Sequence, residues 1–496
     1  MNIGMILEMA ASAGDRPVVT ADGRSLTASG LLRLAHAAAD RFRRYPAVLY
    51  LGANHLAYPV ALFGAALAGV PFVPLNYRLG EHQLTGLRDR HPGALLLHAS
   101  DLDALLVRGD DPPGPPARGG ILPPHPPAPL LGDRVAVLLY TSGTTAEPKA
   151  AVLRHRHLTA YVLNTVEFGS AGEGDATLVS VPPYHVAGLA NLLTNLYAGR
   201  RVVYMGAFGA GEWLQTVRRE QITHAMLVPT MLARIVAEVH GDDAGTPTLR
   251  SLAYGGARMP RPVLERALRI FPAAGFVNAY GLTETASSVA VLGPEDHRKA
   301  LASDDPVVRD RLGSVGRALP GIEFQIRADD GEPASAGETG LVFVRGEQIS
   351  GEYGGPTAAD SSALDSGALD SGGWFATRDC GRLDAEGYLF IEGRADDTII
   401  RGGENIAPAE IEDVILACPG VAEAAVVGVP DPEWGQRLVA VVVGDGDPAE
   451  IRQWVKDRLR SSKTPDTIVF RAELPKTDTG KLLRRTLLAE LETTHA

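Results

Sequence analysis

From about residue 47 to residue 280 the chain keeps changing period, with short aliphatic runs alternating with helical stretches. Residues 47–51, 94–97, 134–140, 177–181, 201–204, 224–228, 251–254 and 275–279 read as strands. Residues 56–68, 157–164, 187–197 and 212–221 read as helices, the first alanine-rich with few polar positions and hence buried. Such alternation predicts an α/β sheet covered by helices. Several of the strands stop at turns that carry glycine or proline beside polar side chains, and in open α/β sheets ligands bind beyond the carboxyl ends of the strands. The turns are therefore where chemistry is expected.

A chain of 496 residues exceeds what one core usually serves, so two or more domains are expected. Residues 111–131 hold nine prolines and no periodicity, and read as a linker or surface excursion. Residues 313–353 carry short strands, 322–326 and 340–345, that suggest a small β-subdomain. Residues 360–373 are low-complexity and acidic, and read as a flexible loop. Beyond Arg394 the pattern starts afresh as a compact α+β unit ending in a basic tail, with helices at 408–418 and 448–460 and strands at 422–429, 438–443 and 467–470. The expected fold is α/β: a large N-terminal α/β region with a small β-subdomain, followed by a small α+β domain. A net charge of −12 argues against a nucleic-acid surface. Two cysteines fit a reducing compartment, and neither signal peptide nor membrane span is read, so a cytoplasmic protein is expected.

The strand at 134–140 feeds into Tyr140-Thr-Ser-Gly-Thr-Thr-Ala-Glu-Pro-Lys149. Such a loop offers backbone N–H groups, hydroxyl donors and one mobile cation, as a polyphosphate requires. The Walker spacing is absent, and Ala150 stands where that motif has its hydroxyl. No metal-ligating His/Cys pattern surrounds His185, which follows Pro182-Pro183-Tyr184 at a strand end.

The order T-S-G-T-T-x-x-P-K resembles the phosphate loop of the acyl-adenylate-forming superfamily, which includes acyl- and aryl-CoA ligases, peptide-synthetase adenylation domains and luciferases. Further motifs match in order along the chain, and the set is most like an acyl-CoA synthetase. The resemblance implies the two-domain adenylating fold, with an ATP- and acid-binding region over 1–393, a hinge at 394–397 and a mobile C-terminal domain over 398–496. It also implies ATP-dependent activation of a carboxylic acid to an acyl-adenylate with pyrophosphate release, then transfer to a thiol. Thr141, Ser142, Gly143, Thr144, Thr145 and Lys149 would hold phosphates. Gly255, Gly256 and Ala257 would lie flat against adenine, where a side chain would obstruct approach. Asn278, Tyr280 and Gly281 belong to the turn in which Tyr280 stacks on adenine, Thr283 contacts the α-phosphate and Glu284 holds Mg²⁺. Asp379 would bind both ribose hydroxyls, Arg394 would reach the ribose, and Asp396 would be the pivot. Gly402 and Gly403 would line the thiol tunnel, and Lys481 would serve adenylation by bridging carboxylate and phosphate oxygens. The acid pocket would include His185, Val186 and Gly188; Val186 stands where amino-acid-activating relatives place an aspartate, so an acid without a free α-amino group is expected. ATP, Mg²⁺ and CoA are the implied cofactors and partners. A carrier-protein phosphopantetheine is the alternative acceptor, and a non-catalytic adenylate-binding relative is a third reading. Two departures stand out: Ala146 replaces a glycine of the phosphate loop, and Arg378 replaces the glycine of T-G-D.

Overall fold

The computed structural model describes residues 1–107, 131–141, 148–328, 330–354, 369–477 and 480–495. Ser142, Gly143, Thr144, Thr145 and Ala146 lie outside the described residues, as do the proline-rich stretch and most of the acidic one.

Two mixed sheets form the large region. The nine-stranded sheet has a parallel centre of Gly275–Leu282, Ser251–Gly255, His224–Leu227, Ala176–Val179, Arg201–Tyr204 and Pro17–Ala21, in that spatial order. The six-stranded sheet runs Tyr353–Gly354, Lys149–Arg154, Val135–Thr141, Phe72–Pro74, Val48–Leu51, Leu95–His98. One continuous core joins residues of both sheets, and helix Ala57–Ala68 is buried from Ala57 to Ala66. Gly64 lets that helix lie against Ala28–Phe42, because a Cβ there would stand 2.8 Å from the Ala38 methyl. The expected β-subdomain is a four-stranded antiparallel sheet of Glu323–Arg327, Gly340–Arg345, Phe375–Leu383 and Leu389–Arg394. Among the described residues no helix is long and apolar enough to cross a membrane.

The C-terminal unit is a separate small domain with a core on each face of one sheet, Val421–Asp431, Gly435–Gly444 and Thr467–Phe470. Strict alternation divides the strands: Val426, Ala440 and Val442 face Ile411, Ile415 and Ile451, whereas Ala425, Val427, Val439 and Val441 face Leu487 and Leu491. The last two leucines belong to helix Arg484–His495, where the sequence reading expected a basic tail. Its charges are also engaged, since Arg484 grips Glu412 through both carboxylate oxygens at 2.6 and 2.8 Å. A second difference concerns Gly275–Leu282, which continues as strand through Tyr280, Gly281 and Leu282 where a turn was expected.

Four histidines, His91, His155, His157 and His297, are sealed inside the large region. His91, His155 and His157 are 6%, 1% and 1% exposed, and burial, reinforced by nearby positive charge, pushes each imidazole down to about 4. The unfolded chain takes up these protons near the ordinary value of about 6.5. Stability is therefore complete above about pH 6.5 and falls as the pH drops towards 4, by up to about 3 kcal/mol per histidine. Urea melts at pH 7.5 and pH 5.0 are expected to show that loss; equal midpoints would contradict it.

Candidate active site

The polar end of the β-subdomain is set by strand register. Asp379 lies opposite Arg394 across strands Phe375–Leu383 and Leu389–Arg394. Arg394 Nη1 donates to Asp379 Oδ1 at 3.0 Å and to the Thr377 carbonyl at 2.9 Å. The Tyr280 hydroxyl donates to Asp379 Oδ2 at 2.5 Å, and the Thr377 hydroxyl accepts from the Asp379 N–H at 3.1 Å. Burial, then the adjacent Asp379 carboxylate, raises the Tyr280 phenol well above its ordinary value, so it remains a donor.

Arg378, between these partners, has φ of 63°. That left-handed conformation explains a glycine preference at this place, and an L-residue with a Cβ adopts it at a cost of about 1–2 kcal/mol. The side chain is exposed, as its bulk requires. Arg378→Gly is expected to stabilise the protein by about 1 kcal/mol, read as a higher urea midpoint with an unchanged slope.

Glycines crowd the neighbouring strand ends, though not all for the expected reason. A Cβ on Gly255 would stand 2.2 Å from the Ala279 carbonyl oxygen, and one on Gly281 would stand 1.9 Å from that of Ser287. Close backbone packing thus demands both glycines before any ligand is considered. Gly256, with φ of 84°, faces more open space beside Ala257. Asn278 is partly committed to structure, since its Nδ2 donates to the Ser314 carbonyl at 3.0 Å.

After Gly281 the chain makes a tight 3-10 turn, Thr283–Thr285, and then passes through two left-handed residues, Ala286 at φ 54° and Ser287 at φ 123°. The Glu284 carboxylate accepts from the Tyr353 hydroxyl at 2.7 Å. Lys149, exposed at the foot of the phosphate-loop hairpin, places Nζ 5.5 Å from the Tyr353 ring centroid. Thr141 pairs with Lys149 across that hairpin.

Lys481 comes from the C-terminal domain and joins this group. As a residue it is exposed, yet its ammonium sits amid enough protein that lost hydration, followed by repulsion from Arg394, lowers its pKa from the ordinary lysine value. Asp379, Asp397 and Glu284 oppose that effect. An ion pair between Arg258 and Asp413 also links the two domains. Cationic groups of three separate elements thus face the same strand ends as two carboxylates, a donor set suited to an anionic nucleotide. Among the described residues no group of three or more His, Cys, Asp or Glu could hold a metal. Glu284 as a lone carboxylate suits Mg²⁺, which keeps waters and shares phosphate oxygens rather than filling a protein cage.

The remaining predicted residues stand on other elements. His185 precedes helix Val186–Ala198, its ring 4.6 Å from that of Tyr184, and Gly188 lies close to the Pro182 carbonyl. Gly402 and Gly403 form the left-handed turn of hairpin Ile399–Arg401/Glu404–Ile406, where Gly402 donates its N–H to the Trp434 carbonyl at 2.8 Å. Asp396 is exposed in the 3-10 turn Ala395–Asp397. A cavity of about 560 Å³ opens between the domains, lined by Tyr77, Arg78, Phe208 and Arg234 on one side and by Lys476 and Gly480 on the other. Sequence reasoning missed Tyr353 and the Arg258–Asp413 link, because both depend on contacts between distant segments. The Asp379–Arg394 pairing did leave a signal: Phe375, Thr377, Asp379 and Gly381 alternate as the buried face of a strand.

The family model described as AMP-binding enzyme matches residues 7–353, and the model of the AMP-binding enzyme C-terminal domain matches residues 410–481. The chain is 36% identical to a feruloyl-CoA synthase of an Amycolatopsis species over 448 residues, 88% of this chain and 87% of that protein. It is 32% identical to a fatty acid–[acyl-carrier-protein] ligase of Streptomyces coeruleorubidus, covering 95% and 92% of the two chains. Among solved structures, o-succinylbenzoate CoA synthetase of Bacillus subtilis with its acyl-adenylate intermediate superposes with a TM-score of 0.80, at 27% identity over 98% of each chain.

Proposed function

The chain belongs to the AMP-binding enzyme family, and on that premise we propose how its residues divide the work of an acid–thiol ligase. The enzyme activates a carboxylic acid with ATP and transfers the acyl group to CoA. In the first half-reaction a carboxylate oxygen attacks the α-phosphorus, the bond to pyrophosphate breaks, and an acyl-adenylate forms. No general base is required, because the acid is already ionised at neutral pH. In the second half-reaction the thiol loses its proton, its sulfur attacks the acyl carbonyl, and AMP leaves.

The observation that carries the assignment is that Lys481, from the C-terminal domain, lies near enough to Arg394, Asp379 and Glu284 for their charges to act on its ammonium. Lys481 bridges the attacking carboxylate and the α-phosphate, offsetting the repulsion between two anions. Lys149 and the loop hydroxyls neutralise the departing pyrophosphate. Asp379, held by Arg394 and Tyr280, receives the ribose hydroxyls, and Gly256 and Ala257 lie beside the base. Thr283 faces the α-phosphate, and Glu284 holds Mg²⁺, which supplies charge neutralisation along the polyphosphate when bound. His185, Val186 and Gly188 line the acid pocket, which accepts acids without a free α-amino group.

Residues 1–393 form the nucleotide- and acid-binding region, and 398–496 turn about Asp396 at the hinge 394–397. Gly402 and Gly403 then serve the thiol. The cavity between the domains supports approach of a phosphopantetheine thiol, with cations Arg78 and Arg234 beside the aromatic rings of Tyr77 and Phe208. Cys380 and Cys418 form no disulfide, which supports a reducing, cytoplasmic setting. Pyrophosphate release across short, long and aromatic acids tests the first half-reaction, and no release with any acid would overturn it. A carrier-protein acceptor is the second reading, favoured by the carrier-protein ligase among the relatives; acyl transfer to a holo-carrier protein in preference to CoA would establish it.

A further inference from the structure

We infer that Tyr353 is a positioning residue: its hydroxyl sets the Glu284 carboxylate for the metal while its strand ties that carboxylate to the phosphate-loop lysine. This rests on the reading of Glu284 as the Mg²⁺ contact.

The turn bearing Glu284 is held partly by its own hairpin, in which the Thr285 hydroxyl bridges Leu282 and Ser287, and partly from outside. Ala286 and Ser287 occupy left-handed backbone conformations at φ 54° and 123°, each costing about 1–3 kcal/mol unless the surroundings impose it. The support from outside the hairpin comes from one short segment, residues 348–353. Gln348, fully buried, donates Nε2 to the Thr285 and Ser288 carbonyls at 2.9 and 2.8 Å. The Ser350 N–H donates to the Glu284 carbonyl at 2.8 Å, and its hydroxyl donates to the Val152 carbonyl. Tyr353 then reaches the carboxylate itself at 2.7 Å.

The same segment ends in strand Tyr353–Gly354 of the phosphate-loop sheet. Tyr353 pairs with Ala151 and Gly354 with Ala150, directly beside Lys149. Val152 donates its N–H to the Glu352 carbonyl at 3.0 Å, and Glu352 is gripped by Arg154 at 2.6 to 3.0 Å. One tyrosine therefore meets both groups that would flank the polyphosphate: its hydroxyl holds Glu284 and its ring lies near the Lys149 ammonium. A carboxylate with one oxygen so occupied presents the other in a fixed direction, which is what partners behind a metal ligand do.

The test uses the full chain and a non-hydrolysable ATP analogue, titrated calorimetrically with and without Mg²⁺. Tyr353→Phe keeps the ring and removes the hydroxyl. The Mg²⁺ concentration needed for half-maximal tightening of analogue binding is expected to rise at least about tenfold, while metal-free affinity and melting temperature stay near the parent values. In a Glu284→Gln background the same change is expected to add nothing further. A parental Mg²⁺ response in Tyr353→Phe, with an altered one in Glu284→Gln, would overturn the positioning role alone. A parental response in Glu284→Gln would overturn the metal assignment and this inference with it. Equal weakening with and without Mg²⁺, accompanied by a lower melting temperature, would reduce Tyr353 to a structural residue.

Discussion

Replacing Lys481 with alanine is expected to lower pyrophosphate release by about 10²–10³-fold, while a supplied acyl-adenylate still reacts with the thiol at close to the parental rate. The magnitude is that of one preorganised donor removed from developing charge, and a lysine that also draws two anions together has more to lose. The expectation is selective because Lys481 stands at Arg394, Asp379 and Glu284, where the nucleotide would sit, whereas the Gly402–Gly403 turn rests on Trp434 of its own domain. Single-turnover assays of each half-reaction decide the matter. A parallel fall in both steps, or in neither, would remove Lys481 from the role assigned to it.

Asp396→Pro is expected to spare adenylation and slow thiol transfer. The residue occupies a 3-10 turn, exposed, with Arg394 extended before it and Thr398 extended after it at φ −61°. Proline holds φ near −65°, within the range of such a turn, and so suits the orientation that places Lys481 beside the nucleotide residues. A turned state that needs another φ at this position becomes costlier by about 1–3 kcal/mol, or roughly a tenfold to hundredfold loss in the second step. Ala395 feels the ring as well, because a residue before proline is pushed from helical backbone. A thermal melt run beside the rate measurements separates that strain from the hinge effect. Equal rates in both steps with an unchanged melt would show that the chain does not pivot there.

The sequence made the strand ends legible because a strand and its turn are local. Runs such as Ser251–Gly255 and His224–Leu227 declare themselves by composition, and the motif residues follow them within a few positions. What stayed hidden depends on register and on distance along the chain. Tyr353 meets Glu284 across 69 residues, and no local pattern marks it. Gly255 read as a residue cleared for a ligand, yet the Ala279 carbonyl occupies the space where its side chain would begin. The C-terminal helix was obscured for a different reason. Charge drew attention to Arg484 and Arg485, although Leu487 and Leu491, four apart and 0% and 1% exposed, carried the helical period.

The double-faced sheet of the C-terminal domain has a consequence for how the molecule comes apart. Its apolar residues are satisfied on both sides within residues 399–491, and they form clusters distinct from the core that joins the two large sheets. A unit that completes its own core need not melt with its neighbour, and the ties seen between the two are polar, Arg258 with Asp413 among them. Denaturation of the whole chain is therefore a sum of at least two cooperative events. Heat capacity traces should show overlapping transitions whose calorimetric enthalpy exceeds the van't Hoff value. Nucleotide bound as proposed, to Asp379 of one unit and Lys481 of the other, would draw those transitions together by mass action.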